Sequence, residues 1–363
     1  MSNDYFENLK SFLRSDLKEI RVVVMPDFFV DRIVALDLNL RDFSKRLENV
    51  VKSEGGSIDG VKQIELRGGN AINTASALGA LGASVTPIVA TDKLGLELIR
   101  YYFASYKAEL SHIKIFNEPS ITTALELETQ AGKANVMLRD VGALADFGPR
   151  HLNADDFEAI KNADYVCVFN WAGTKRFGTE LAQTVFQRAK TRGTSKTYYD
   201  TADPRPNEKK IPQLTKMLKG RNIDILSVNE NEAICYASQL KAKIRKPRES
   251  CGFEELARLA ARFLAKHLSA RVDLHTTKFS ATFTKKTENI VPAFKVPVLR
   301  VTGAGDAWNA GNILGDANGL PDASRLALAN AVAAYYISNL GGTHATREQL
   351  IRFCEELEHK TRL

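Results

Sequence analysis

The chain has 363 residues, of which 44% are hydrophobic and 26% charged, a balance that excludes disorder and suits a folded protein with a sizeable core. Its net charge of +7 attracts anions such as nucleotides and phosphorylated sugars. The densest basic run, 241–248, has no interleaved aromatics and reads as a solvated loop, so no nucleic-acid partner is expected. Cys167, Cys235, Cys251 and Cys354 are scattered, no apolar run is long enough to span a membrane, and the first residues lack a secretory leader's apolar core. A cytoplasmic, membrane-free location is the expectation.

In chain order, residues 1–20 form an amphipathic helical extension, with Phe6, Leu9, Phe12, Leu13 and Leu17 at helical spacing among charged residues. Short β-branched runs then alternate with helical patterns. Strands are predicted over 21–25, 85–90, 164–169, 197–200, 224–228 and 272–276, and helices over 70–81, 96–107, 179–192, 231–240 and 253–267. That order predicts an α/β fold in three α/β/α layers around a mostly parallel sheet, whose ligands collect at the carboxyl ends of the strands. Two stretches, 32–66 and 111–140, depart from it: segments such as 121–127 and 134–138 alternate in polarity as antiparallel strands do, and 40–52 looks helical. The main domain then covers 21–345 with these two insertions, and 346–363 forms a closing helix.

The most informative segment is Val301-Thr302-Gly303-Ala304-Gly305-Asp306, where an extended run turns into a helix. Gly303 and Gly305 let the backbone approach an anion, which the unpaired N–H groups of the following helix attract. Asp306 on the first turn is positioned to take a proton from an attacking hydroxyl. Upstream, Gly68-Gly69 runs into a helix of small residues, 70–81.

These two segments, with Ser227-Val228-Asn229-Glu230-Asn231-Glu232 between them, resemble in type and order the signatures of the ribokinase-like (PfkB) family of sugar and nucleoside kinases. The resemblance covers roughly residues 20 to 345. It implies a ribokinase-like fold in which the two insertions form a small β lid over the sugar, with an extra helix at 40–52. It also implies roles for single residues. Asp31 grips sugar hydroxyls or is a turn residue at the lid base. Gly68 and Gly69 leave room for the sugar, while Asn73 bonds its hydroxyls or ties down the loop. Asn170 and Trp171 face the cleft, although an aromatic there is equally at home in the core. Asp92 and Gly95 form a structural turn. Asp200, Thr201 and Asp203 lie near the nucleotide phosphates and metal, or form a simple Asp-rich turn. Asn229 and Glu232 place magnesium, mainly through water. Thr302, Gly303, Ala304 and Gly305 cradle the phosphates around Asp306.

Two positions depart from the family pattern. Relatives carry an acid for a monovalent cation where this chain has Arg300, which either replaces that ion, binds a substrate phosphate or forms a surface pair. At 275–280 the usual glycine-bearing turn is absent, so the loop departs from the family's geometry, while Thr277 and Lys278 are expected to contact the nucleotide phosphates. The implied reaction moves the terminal phosphoryl group of ATP, with magnesium, to a hydroxyl of a small sugar, a sugar phosphate such as ribose 1-phosphate, or a nucleoside, with Asp306 as base. ADP as donor and a non-catalytic sugar- or nucleotide-sensing module are the alternatives, and a homodimer through the lid is a further expectation.

Overall fold

The computed structural model describes residues 3–129, 132–191, 193–240, 252–339 and 341–362. The basic run, Cys251 and Arg192 lie outside the described residues. In chain order the elements are α1 (Asn3–Arg14), β1 (Arg21–Met25), β2 (Phe29–Asn39), α2 (Leu40–Lys52), β3 (Lys62–Gly68), α3 (Asn70–Ala80), β4 (Ser84–Pro87), β5 (Ala90–Thr91) and α4 (Lys93–Phe103). Then come β6 (Lys114–Ile115), β7 (Ile121–Thr129), β8 (Gly132–Asp140), α5 (Ala154–Asn162), β9 (Tyr165–Val168), α6 (Gly178–Ala189), β10 (Lys196–Asp200), α7 (Ile211–Leu218) and β11 (Ile225–Val228). The chain finishes with α8 (Glu230–Gln239), α9 (Phe253–His267), β12 (Arg271–His275), β13 (Phe279–Phe283), β14 (Glu288–Pro292), α10 (Ala304–Ala317), α11 (Asp322–Ile337) and α12 (Arg347–Arg362).

The main sheet runs β14-β13-β12-β11-β10-β9-β1-β4. It is parallel from β4 to β12 and antiparallel at β13 and β14. Period-2 alternation in β1 divides two cores: Val22 and Val24 pack under α3, α10 and α11, whereas Val23 and Met25 pack toward α6 and α9. The ribokinase-like three-layer α/β/α arrangement is thus present. α1 and α12 close one side, with Phe6, Leu9 and Leu13 buried and Lys10 paired to Glu358 at 2.7 Å.

Several boundaries differ from expectation for local reasons. The strand expected over 85–90 stops at Pro87, which has no N–H to donate, and the pairing resumes as β5 beside β6. Helix α4 starts at Lys93 rather than Leu96, because Asp92 caps it by accepting from Gly95 N at 2.8 Å. The helix in the first insertion spans Leu40–Lys52 as read, with Asn39 as its N-cap.

The two insertions form a second sheet in the order β3-β2-β7-β8. Its outer pairs are antiparallel as expected, but the central pair, β2 with β7, is parallel. Alternation in polarity assigns faces and leaves strand direction open, which is why the sequence does not reveal this pairing. Among the described residues no helix is long and apolar enough to cross a membrane.

Candidate active site

The carboxyl ends of β1, β9, β10, β11 and β12 lead into Asp27, Asn170, Asp200, Asn229 and His275, and the first turns of α3, α8 and α10 meet them. Helix α10 starts from Gly303 at a left-handed φ of 89°, where a Cβ would lie 2.6 Å from the Tyr336 hydroxyl. Only glycine fits both constraints. Ala304 N bonds Val301 O and Ala307 N bonds Gly303 O, each at 3.1 Å, while the N–H groups of Gly305 and Asp306 between them reach no backbone acceptor among the described residues. The result is a helix start of the kind that attracts anions, with Thr302 exposed at its edge.

Asp306 is buried on that first turn. Its carboxylate accepts from Asn70 Nδ2 at 2.7 Å and from Asn73 Nδ2 at 3.0 Å, both on α3. Burial pushes the Asp306 carboxyl up to about 8, against the two amide donors, which favour the anion. The amide oxygen of Asn73, Oδ1, is buried and has no hydrogen-bond partner among the described residues. It is an open acceptor beside the candidate base.

Asp27, which nothing in the local sequence singles out, is a hydrogen-bonding hub between α3 and the loop after β9. Asp27 Oδ2 accepts from Asn70 N at 2.9 Å and Asn170 Nδ2 at 2.7 Å, and Oδ1 accepts from Ala71 N at 2.9 Å. It therefore caps α3 and ties that helix to the loop after β9. Asn170, at φ 47°, also accepts from Gly173 N at 2.9 Å, so its side chain holds the loop and Asp27 rather than standing free. Asp31 lies on β2 with Gly68 against its carboxylate, where any Cβ would collide. Burial pushes the Asp31 carboxyl up to about 6, opposed by the Thr122 hydrogen bond and by the charges of Arg139 and Arg300. Gly69 has φ 92° and would bring a Cβ to 2.9 Å from the Asp27 carbonyl oxygen, so the Gly-Gly pair permits the tight entry into α3. Trp171 is a core residue, buried and donating to Thr179 Oγ1 at 2.9 Å.

Arg300 stacks its guanidinium over the Tyr336 ring, 4.6 Å from the centroid. Its Nε is buried without a partner, and no acid pairs with it among the described residues. Arg67 stands close by and donates to Gly342 O at 2.9 Å.

At the end of β11, Asn229 and Glu232 form a reciprocal capping box at the start of α8: Glu232 N bonds Asn229 Oδ1 at 3.1 Å and Asn229 N bonds Glu232 Oε2 at 3.0 Å. Burial, reinforced by the charge of Asp200, pushes the Glu232 carboxyl well up, and Asp203 and Glu230 add to it. These hard oxygen donors repel one another, and a divalent cation relieves that repulsion. Among the described residues no group of three or more acidic, histidine or cysteine side chains is placed to hold an ion directly. Asp200 Oδ2 is bonded by Asn309 Nδ2 at 2.8 Å. His275 packs against Gly305 with its Nε2 unpartnered and 4.0 Å from Asp200. Thr277 N reaches Glu230 Oε1 at 3.3 Å, while the largely exposed Lys278 pairs with Glu254 at 2.6 Å, away from the cleft.

The structure thus brings Asp306, Asn73 and the first turn of α10 together, sets Asp31 with Gly68 beside Asp27, and keeps Asn229 with Glu232. Asn70, Asp27 and Asn309 complete it and were not singled out from the sequence. Asn70 carried a visible signal, standing directly after the Gly-Gly turn.

The sequence matches the pfkB family carbohydrate kinase profile over residues 30–349. It is 40% identical over 70 residues to an uncharacterized sugar kinase, YegV, of Escherichia coli, a match spanning 19% of this chain and 22% of that protein. The fold is similar to ribokinase of Arabidopsis thaliana complexed with ribose and ATP, at a TM-score of 0.69 with 20% identity, covering 93% of this chain and 99% of that one. Ribokinase of Cryptococcus neoformans in complex with ADP gives a TM-score of 0.69 at 15% identity, covering 96% and 100% of the two chains. Fructokinase of Xylella fastidiosa with bound ATP gives 0.67 at 16% identity, covering 94% and 99%. The chain belongs to the pfkB family of carbohydrate kinases.

Proposed function

We propose that the protein transfers the terminal phosphoryl group of ATP to a hydroxyl of a small sugar, sugar phosphate or nucleoside, with Asp306 as the base. The observation that carries this reading is the pairing of a buried, doubly hydrogen-bonded carboxylate with unspent N–H groups on the same helical turn. Asp31 and the open oxygen of Asn73 orient the acceptor. Asp306 takes the proton of the attacking hydroxyl. The N–H groups of Gly305 and Asp306 neutralise charge on the transferring group, which is where most of the rate of a loose phosphoryl transfer originates. Asn229 and Glu232 would hold magnesium mainly through water, and that ion would supply charge neutralisation on the nucleotide.

ATP is favoured as donor because the ribokinase and fructokinase structures of the same fold carry it; ADP is the second candidate. The lid supports pairing of two copies: α2 has no buried residue, and Leu40, Leu47 and Val51 on it are exposed. The test of the function is a coupled phosphorylation screen with ATP and ADP against sugars, sugar phosphates and nucleosides. Turnover of at least one acceptor, lost in Asp306→Asn, is expected. Nucleotide binding without turnover of any acceptor would favour the sensing module.

A further inference from the structure

Gly303, the residue from which α10 starts, has no side chain to fix its own place. A side chain from another element packs against it instead. Tyr336, on the last turn of α11, brings its hydroxyl, Cε1 and Cζ to 2.6, 2.9 and 3.0 Å from the position a Cβ on Gly303 would take. Tyr336 is 2% exposed, so the contact comes from a side chain with little room to move.

Two further groups hold its ring. Arg300 lies over it, 4.6 Å from the centroid, and His344 stacks on it with centroids 4.6 Å apart and planes 14° from parallel. Both nitrogens of the buried His344 are without partners among the described residues. Burial, helped by the charges of Arg67 and Arg300, holds its pKa well below the usual histidine value, so it packs as a neutral ring.

Backbone contacts tie the same pieces together. Leu299 N and Arg300 N bond Ile337 O at 2.8 and 3.2 Å, directly after Tyr336. A Cβ on Gly342 would overlap Arg300 Nη1, which leaves the guanidinium wedged between that loop and the Tyr336 ring. Between Arg300 and Gly303 stand only Val301 and Thr302, both exposed. The segment that leads into α10 is therefore anchored at Arg300 and next supported at Gly303, on Tyr336.

We infer that Tyr336 is a positioning residue for the phosphoryl transfer: clamped by Arg300 and His344, its ring sets where Gly303 lies, and with it the N–H groups of Gly305 and Asp306 and the Asp306 carboxylate. This rests on the kinase reading of the same turn. Donors that stabilise a transferring group act through their placement, so loosening the ring lowers turnover more than it weakens acceptor binding.

The experiment measures kcat and acceptor KM for wild type, Tyr336→Phe, Tyr336→Leu, Arg300→Ala and the double variant Tyr336→Leu with Arg300→Ala. Tyr336→Leu should lower kcat by roughly ten- to a hundredfold with a smaller change in acceptor KM. Tyr336→Phe keeps Cε1 and Cζ against Gly303 and the ring under Arg300, and should restore most of the rate. The double variant should be little slower than the worse single one, because both changes release the same clamp. Amide hydrogen exchange read on peptides supplies a measure independent of turnover: both single variants should exchange faster across 301–309 and unchanged across β1. Wild-type kcat in Tyr336→Leu, fully additive losses, or exchange that rises equally everywhere would overturn the inference. If no acceptor is phosphorylated the kinase reading falls, and exchange across 301–309 still decides the clamp. Should Tyr336→Leu not fold, Arg300→Ala and His344→Ala loosen the ring from outside, and no local rise in exchange in either overturns it.

Discussion

The ionisation of Asp306 gives the sharpest prediction. In the free enzyme its carboxyl is pushed up to about 8 by burial, against the amides of Asn73 and Asn70. A base must be ionised to accept a proton. At pH 7, one unit below that value, roughly a tenth of the molecules carry the anion, so kcat/KM should climb about tenfold between pH 7 and pH 9 and then level off. Replacement by Asn should lower kcat by about a hundred- to ten-thousandfold. The variant should fold, because Asn73 keeps an unpaired Oδ1 and a rotation of its amide offers that oxygen to the new NH2 group.

Stability provides an independent reading of the same group. Since the folded value lies above the unfolded 3.8, its contribution is fully present below pH 3.8 and is lost as the pH rises through about 8. Displacement from 3.8 to about 8 corresponds to at most ~6 kcal/mol at ~1.4 kcal/mol per pH unit. Asp306→Asn should therefore gain stability relative to wild type as the pH rises to 9. Coupled assays from pH 6 to 9.5 at constant ionic strength and denaturant melts at pH 6 and 9 measure both effects. A flat wild-type profile, or an Asn variant within tenfold of wild type, would refute the assignment of Asp306 as base.

Glu232→Gln should raise the magnesium concentration needed for half activity while leaving melting nearly unchanged, because glutamine also completes the capping box; an unaltered magnesium dependence counts against the metal role. Asp273 is buried between Arg271 and Arg325, each at 3.0 Å, and although burial raises its carboxyl the two guanidiniums hold it well below 3.8. Its stabilisation is present above pH 3.8 and lost as the pH falls through the depressed value, so Asp273→Asn should cost about 3 to 5 kcal/mol in urea melts at pH 7, a difference that shrinks in acid. If Arg300 is a built-in substitute for a monovalent cation, wild-type rates should be equal in sodium, potassium and tetramethylammonium at fixed ionic strength. Arg300→Ala, losing the ~1 to 2 kcal/mol of a desolvated cation–ring contact, should then be roughly tenfold slower and partly rescued by potassium; strong potassium activation of wild type sinks the idea.

What the sequence made legible follows the range of the physics. Strands β1, β9, β10, β11 and β12 were readable because each is a short run buried on both faces. Helix α2 was readable because its cap and its amphipathic spacing are local. Asp306 and Asn73 stood out through glycine-marked turns. Asp27 did not, since its partners Asn70, Ala71 and Asn170 lie 43 to 143 residues away and nothing local distinguishes a buried hub from a turn aspartate. Lys278 looked like a phosphate ligand from its place after β12, but its long exposed side chain meets Glu254 on α9, a pairing that sequence order conceals.

The hydrogen bonds of Asp27 and Asp306 divide the site into a stiff part and a compliant part. Asp27 fixes the first two residues of α3, and the side chain of the first of these, Asn70, fixes Asp306. Helices α3 and α10 are rich in glycine and alanine and buried along most of their length, so their backbones approach closely and resist displacement. Any shift of α3 must break bonds at Asp27 and at Asp306 together, which on the proposed mechanism keeps the base aligned before substrate arrives. The lid has no such anchoring beyond its base: β3 is exposed over its first residues, and the described side chains of β8 are exposed throughout. On the proposed mechanism the base therefore sits on the closely packed half, and Asp31, on strand β2, is the residue whose distance to Asp306 would change if that second sheet moved.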